Sequence, residues 1–236
     1  MSRLQGVKHR TDSSPSTPKQ PAMDMFPDSV RYREDIRRWA VASARVFDKI
    51  DRNGTHEEKI QVALLRLHEI ITHIMLASVF FTRETSYDIF FPEYRAMMSF
   101  LEHIQPHVTG VGSSLYQFEL GIIIGLFLVG SRCREFETRK KALDMMTKIH
   151  FREGLWDTGP AAIMCDWVSE VEEKGRDADG HIPEHKRAFL SAIFVDLASG
   201  RGIMRLTKKG LDRQEIMERR YWRQVMPDGN ITYSHD

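Results

Sequence analysis

The sequence predicts a mainly α fold: a helical array of antiparallel helices closed by a C-terminal β-hairpin and a short terminal helix. Three observations carry this. Apolar residues recur at spacings of three and four along most of the 236 residues, the period of a helix with one buried face. Turn and capping residues punctuate those stripes where helices start and stop. From Phe189 the pattern changes to β-branched and aromatic runs around a Gly-containing turn.

Residues 1–29 hold four of the nine prolines, several serines and the scattered bases Arg3, Lys8, Arg10 and Lys19. Such a segment buries too little surface to offset chain entropy and is expected to be a disordered arm. A single helical domain is expected over 30–224, with 225–236 as a tail. Asp28 or Ser29 caps the first helix, whose apolar side is Val30, Ile36, Trp39, Ala40 and Phe47. Asp51-Arg52-Asn53-Gly54 stops it as a turn. Thr55 and Glu58 form a capping-box pattern, each end satisfying the other's free amide. The helix they start carries Ile60, Leu64, Leu67, Ile71 and Ile74, and runs to about Phe81. After a turn at Arg83–Ser86, a helix spans about Pro92 to Ile104, with Pro92 tolerated in its first turn.

Gly110-Val111-Gly112 reads as a loop and Leu115–Cys133 as a buried helix. Its apolar run, Leu120–Gly130, is too short to cross a membrane, which takes about 20 residues. Phe136–His150 carries the stripe Ala142, Leu143, Met146 and Ile149, broken at Arg152-Glu153-Gly154. Asp157 or Thr158 caps the next helix, on which Met164, Trp167, Val168 and Val171 share a face. Glu170, Glu172 and Glu173 mark its wet side and end. Lys174–Gly180 is a polar loop. AFLSAIFVDL, ASGRG and IMRLT form the hairpin over about 189–207, and Asp212–Gln224 reads as the short charged helix.

Composition narrows function. With 34 basic and 33 acidic residues the net charge is +1, so no chain-wide basic field points to nucleic acid. The two cysteines, Cys133 and Cys165, cannot build a disulfide framework or a four-thiolate zinc site. They read as buried free thiols in a reducing compartment. Nothing in the first residues resembles a signal peptide, and a soluble intracellular protein is expected.

Candidate catalytic motifs fail on spacing. His68-Glu69 suggests HExxH, but the second histidine is His73, one residue too far to face the same metal across a helical turn. His181-Ile182-Pro183-Glu184-His185 matches HxxEH, yet Pro183 biases Ile182 away from helical geometry. No GxSxG, phosphate loop or GxGxxG occurs. Glu172-Glu173 reads as a solvated helix end. No catalytic, cofactor-binding or metal-ligating residue is assigned, and no cofactor is expected. Met75, Met97, Met98, Met145, Met146 and Met164 fall on helices, where they fill a core or line an adaptable binding cavity.

One segment carries a resemblance. Gly121–Glu173 contains an apolar helix, the pair Cys133-Arg134, the basic run Arg139-Lys140-Lys141, the stretch Arg152-Glu153-Gly154-Leu155-Trp156-Asp157, and a helix with Trp167 ending at Glu172-Glu173. It resembles the C-terminal regulatory region of fungal zinc-cluster transcription factors, and the likeness extends over about Thr55–Thr207. The matching residues are structural. Trp156 is expected to lodge between helices, Asp157 to cap, and Arg132, Arg134 and Arg139 to pair with Glu135, Glu137 or the Glu170–Glu173 run. The six cysteines of the zinc cluster are missing, so the resemblance does not imply direct DNA binding. It implies a nuclear regulatory part acting through a small effector or a protein partner, the partner being a cluster-bearing transcription factor or a second copy of the chain. The alternatives are an all-helical enzyme or small-molecule binder with a Met- and His-lined cavity, a truncated remnant of a transcription factor, and a helical scaffold with no regulatory role.

Overall fold

The computed structural model of the chain describes residues 27–109, 116–117, 121–149, 152–154, 156–196, 198–209, 214–225 and 231–235. The expected disordered arm therefore falls outside the described residues up to position 26, and residues 27–29 belong to the first helix. That helix, α1, spans Pro27–Asn53 and packs along α2, His56–Ser78. The capping box between them forms as expected. The Glu58 amide donates to Thr55 Oγ1 at 3.3 Å, and the Thr55 amide donates to Glu58 Oε2 at 2.7 Å. Leu67, Ile71 and Ile74 of α2 are buried, while Ile60 and Leu64 pack at the edge of the core. Among the described residues only α2 is long and apolar enough to cross a membrane by length and composition. Here that apolar face packs into the core.

A 3₁₀ segment, Glu84–Phe90, replaces the expected short turn and leads directly into α3, Phe91–Thr109. The buried helix is shorter than the expected Leu115–Cys133. It forms α4, Ile122–Arg132, preceded by a two-residue strand β1, Tyr116–Gln117, where the helix was expected to begin. Gly121 sets that boundary: its φ of +63° is left-handed backbone, which glycine adopts without strain. α5 spans Phe136–Lys148. The break after it is a small hairpin of β2, Arg152–Glu153, and β3, Trp156–Asp157, with β2 parallel to β1. Then comes α6, Thr158–Glu173, capped by Asp157, which accepts from the Gly159 amide at 3.0 Å.

The C-terminal part departs most from expectation. The hairpin is present as β4, Ala188–Asp196, and β5, Arg201–Lys209, but it is half of a larger sheet. β6, Gln214–Val225, and β7, Ile231–His235, complete an antiparallel sheet in the order β4-β5-β6-β7. The short helix expected over Asp212–Gln224 is therefore a strand from Gln214 onward, its first two residues lying outside the described ones. Without β6, β5 would leave a row of unpaired backbone groups along one edge. β6 pairs with it residue by residue from Arg201↔Trp222 to Lys209↔Gln214. The side chains alternate accordingly: Met217 and Tyr221 pack toward α6, while Ile216, Glu218 and Arg220 are exposed.

Two cores result. The larger lies among α2 to α6, and the smaller lies between α6 and the sheet. α6 serves both, with Ala161, Ala162 and Cys165 in the first and Met164, Trp167 and Val168 in the second. Its contact with α4 is close at Gly130, where an added Cβ would sit 2.9 Å from Cys165 Cβ and Sγ and 3.0 Å from Met146 Cε. Gly130→Ala is expected to destabilise the fold by about 1–3 kcal/mol, despite the better helix propensity of alanine. Urea unfolding reads this directly, and a stability equal to wild type would contradict the close α4–α6 packing.

Candidate functional site

Two of the residues singled out by the sequence, Arg134 and Arg139, meet around one carboxylate, Glu172. α4 ends at Arg132 and the chain turns extended through Cys133–Glu135, which sends Arg134 inward. Arg134 donates to Glu172 through Nε at 3.1 Å and Nη2 at 2.7 Å, and to Glu84 at 3.1 Å. Arg139, from the first turns of α5, donates to Glu172 Oε2, which Arg134 Nε also reaches, at 2.6 Å, and to the Cys133 carbonyl at 2.5 Å. The Ala188 amide, at the start of β4, donates to Glu172 Oε1 at 2.8 Å. Glu172 has no exposed surface, and Arg139 and Arg134 are almost as deeply buried. The reading of Glu172 as solvated is thus corrected: two guanidinium groups and a backbone amide replace its water. Arg139 Nη1 makes no hydrogen bond but lies 3.5 Å from Glu173 Oε1, close enough for electrostatic compensation.

A second layer surrounds this contact. Arg132 pairs with Glu84 at 2.5 Å and its guanidinium lies 4.6 Å from the Tyr87 ring centroid. Arg176 joins Glu173 to the Arg134 carbonyl. Arg187 is buried and forks onto Asp88 with two bonds of 2.6 Å, while also donating to the Ile182 and Glu84 carbonyls. Glu184 accepts from the Glu84 and Thr85 amides. The 3₁₀ segment, the α4–α5 turn, the end of α6 and the start of the sheet are tied together by charge-assisted bonds. Of the expected pairings, Arg134 and Arg139 do reach the α6 glutamates, whereas Arg132 turns to Glu84, and Glu135 is held by Arg95. The bonds from Arg95 and Thr138 keep the Glu135 carboxyl at about 2.

The β2–β3 residues are also structural. Glu153 accepts from the Ile122 and Ile123 amides, both at 2.9 Å, and so caps α4 where Gly121 has no side chain to do it. Gly154, φ +54°, makes the tight turn. Leu155 lies outside the described residues. Trp156 packs on Phe127 with ring centroids 5.1 Å apart. Asp157 binds Arg152 at 3.1 Å and accepts from Tyr233 Oη at 2.7 Å, which brings β7 onto the cap of α6. Trp167 is buried, with the Arg219 guanidinium 5.0 Å from its ring centroid. Burial pushes the Cys133 thiol up to about 11 and raises Cys165 as well.

Two cavities flank this framework. An open groove of about 460 Å³ runs between α1 and α2, lined by Tyr32, Ile36, Trp39, Leu65, His68 and Leu76. A smaller hollow of about 210 Å³ lies between α4, α6 and β4, beside Phe127, Trp156 and Ile193. Neither is lined by methionine; Met97, Met98, Met145, Met146 and Met164 are buried in the cores, and Met75 is exposed. His68, His73, His181 and His185 have separate surroundings. His68 faces the groove, His73 packs on Phe90, His181 lies near Asp177, and His185 is in a second short 3₁₀ segment, Glu184–Lys186.

The joining roles of Glu84, Asp88, Glu184 and Arg187 were not identified by sequence reasoning. Their partners lie roughly fifty to a hundred positions away along the chain, and no local spacing signals them. No protein-family model, curated protein or solved structure matches this chain.

Burial pushes the Glu172 carboxyl upward, but Arg134, Arg139 and the Ala188 amide outweigh it, and its net position is below the usual carboxylate range. A lowered folded value means that this contribution is fully present above the unfolded value, about 4.3. It is lost as pH falls through the folded value. Glu153 runs the other way: burial raises it despite the Ile122 and Ile123 amides, so its contribution weakens as pH rises. Glu172→Gln should therefore flatten the acid-side loss of stability below about pH 4.3, measured by urea unfolding at a series of pH values. An unchanged slope would contradict the assignment. Glu172→Ala leaves two buried guanidinium groups without their acceptor and should cost about 3–5 kcal/mol at neutral pH. A loss below about 1 kcal/mol, the scale of an exposed pair, would show that the contact is solvated.

Proposed function

We propose that this chain is a regulatory module that works in transcriptional control through a protein partner, like the regulatory region of the fungal zinc-cluster transcription factors it resembles, and without DNA contacts of its own. The observation that supports this best is the groove between α1 and α2. Tyr32, Trp39 and Leu65 remain 54%, 39% and 45% exposed there, although all three border an apolar depression. Aromatic side chains in such a position are typical anchors of protein interfaces. A groove between two helices suits an amphipathic helix laid along it. Asp35, within 3.9 Å of Arg31 and Arg38, and Glu69 also line it.

In this reading the buried Arg–Glu junction is scaffold. It makes the helical layer rigid and leaves the α1–α2 face to carry recognition. Nuclear residence belongs to the same proposal. The second reading, a small apolar effector, is favoured by one observation: about 460 Å³ falls within the range of small-molecule pockets.

The test is affinity capture from nuclear and cytosolic extracts with wild type and with the double variant Trp39→Ala/Leu65→Glu. The variant should keep the wild-type circular dichroism, since both positions are partly exposed. The expected result is a cluster-bearing transcription factor recovered from the nuclear fraction by wild type and lost with the variant. Identical recovery by both proteins, or an exclusively cytosolic protein capturing no such factor, would overturn the proposal. Saturable binding of an environment-sensitive dye to wild type alone, with no protein captured, would favour the effector.

A further inference from the structure

A group of histidines remains at one end of the α2–α3 pair, apart from the ionic junction and from the α1–α2 groove. His56 is the first residue of α2, set there by the Thr55 capping box. His103 and His107 lie four residues apart on α3, so they share one face a turn apart. His56 Nε2 is 2.9 Å from His107 Nε2. The three ring centroids are 4.5 Å (His56–His107), 6.1 Å (His56–His103) and 6.4 Å (His103–His107) apart. All three side chains are exposed.

We infer that His56, His103 and His107 form a binding site for a divalent transition-metal ion of the zinc type, which clasps the start of α2 to the last turns of α3. An i, i+4 histidine pair on a helix is the spacing at which two imidazoles reach one metal. Tetrahedral zinc holds each imidazole nitrogen about 2.0–2.1 Å away, which places ligand nitrogens about 3.3 Å apart and ring centroids about 5 Å apart. The His56–His107 nitrogens need to separate by only a few tenths of an ångström, and each centroid spacing is within about 1.5 Å of that target. As they are placed, no group of three or more His, Cys, Asp or Glu among the described residues is positioned to hold a metal ion, so the site requires the third imidazole to swing in. Rotation of exposed side chains closes them without disturbing the core.

The chemistry of the donors sets the class of ion. Neutral imidazole suits zinc, nickel and copper, whereas calcium and magnesium prefer oxygen ligands. Water completes the coordination on the open side. The helix ends act in opposite senses: the carbonyl end of α3 favours a cation beside His107, and the amide end of α2 disfavours one beside His56. Glu57, exposed in the first turn of α2, adds negative charge near the latter. Imidazole binds a metal only in its neutral form, so affinity falls in acid.

The experiment uses the full chain without a polyhistidine tag, titrated with zinc ion near neutral pH and followed by calorimetry and thermal unfolding. The expected result is one ion per chain and a rise of several degrees in Tm. His56→Ala, His103→Ala and His107→Ala should each weaken binding by at least about tenfold, while His181→Ala leaves it unchanged. Cobalt(II) in place of zinc should show the visible absorption of a low-coordinate ion, which a loosely bound surface ion does not give. Because the three side chains are exposed, circular dichroism of each variant should match wild type. Absence of one-to-one binding, or binding that persists in the three variants, would overturn the site.

Discussion

Glu172 is the constraint on which the rest of this structure depends. One carboxylate with no access to water accepts from Arg134, Arg139 and the backbone of Ala188. Each donor comes from a different part of the chain: the α4–α5 turn, the start of α5, and the first residue of the sheet. Removing two guanidinium groups and a carboxylate from water is costly, and such a cluster is stable only when its hydrogen-bonding capacity is nearly filled. Here it is filled on the carboxylate side, and the remaining Arg139 nitrogen faces Glu173. The consequence is specificity of arrangement. An apolar cluster would tolerate α6 sliding along its neighbours, but a forked guanidinium–carboxylate contact does not.

The outer charges extend the same logic. Arg187 locks the entry to β4 onto the 3₁₀ segment through Asp88, and Glu184 holds that segment by its amides. At the opposite end of α6, Asp157 caps the helix and receives Tyr233 from β7. The helix is thus fixed at both ends to both layers. Between the ends, Trp167 and Met164 meet Met204, Leu206 and Tyr221 of the sheet.

What the sequence made legible was local. The Thr55–Glu58 box and the Asp157 cap act over two or three residues, and both formed as read. The attraction of Arg134 and Arg139 to the α6 glutamates was legible as charge, but the burial of Glu172 was not, since a glutamate at a helix end reads as wet. β6 was misread because QEIMERRYWRQV is charged enough to imitate a surface helix. Its alternation is visible only once β5 supplies an edge and Arg219 lies over Trp167. The histidines teach the same lesson. The His68-Glu69 spacing stands out along the chain, whereas His103 and His107, four apart on α3, meet the ring of His56 from another helix. Of the described motif residues from Cys133 to Trp167, Trp156 borders the smaller hollow; the others are joints of the framework, which is why their spacing follows helix ends.

If Glu172 is the joint that couples the helical layer to the sheet, weakening it should be felt in both at once. Hydrogen exchange of wild type and Glu172→Gln, resolved to peptides, measures this directly. The predicted result is a joint loss of protection in the α4–α5 turn around 132–139, the last turn of α6 and the start of β4 near Ala188, with α2 unchanged. Loss confined to the last turn of α6 would contradict the coupling and reduce the cluster to a local helix-end contact.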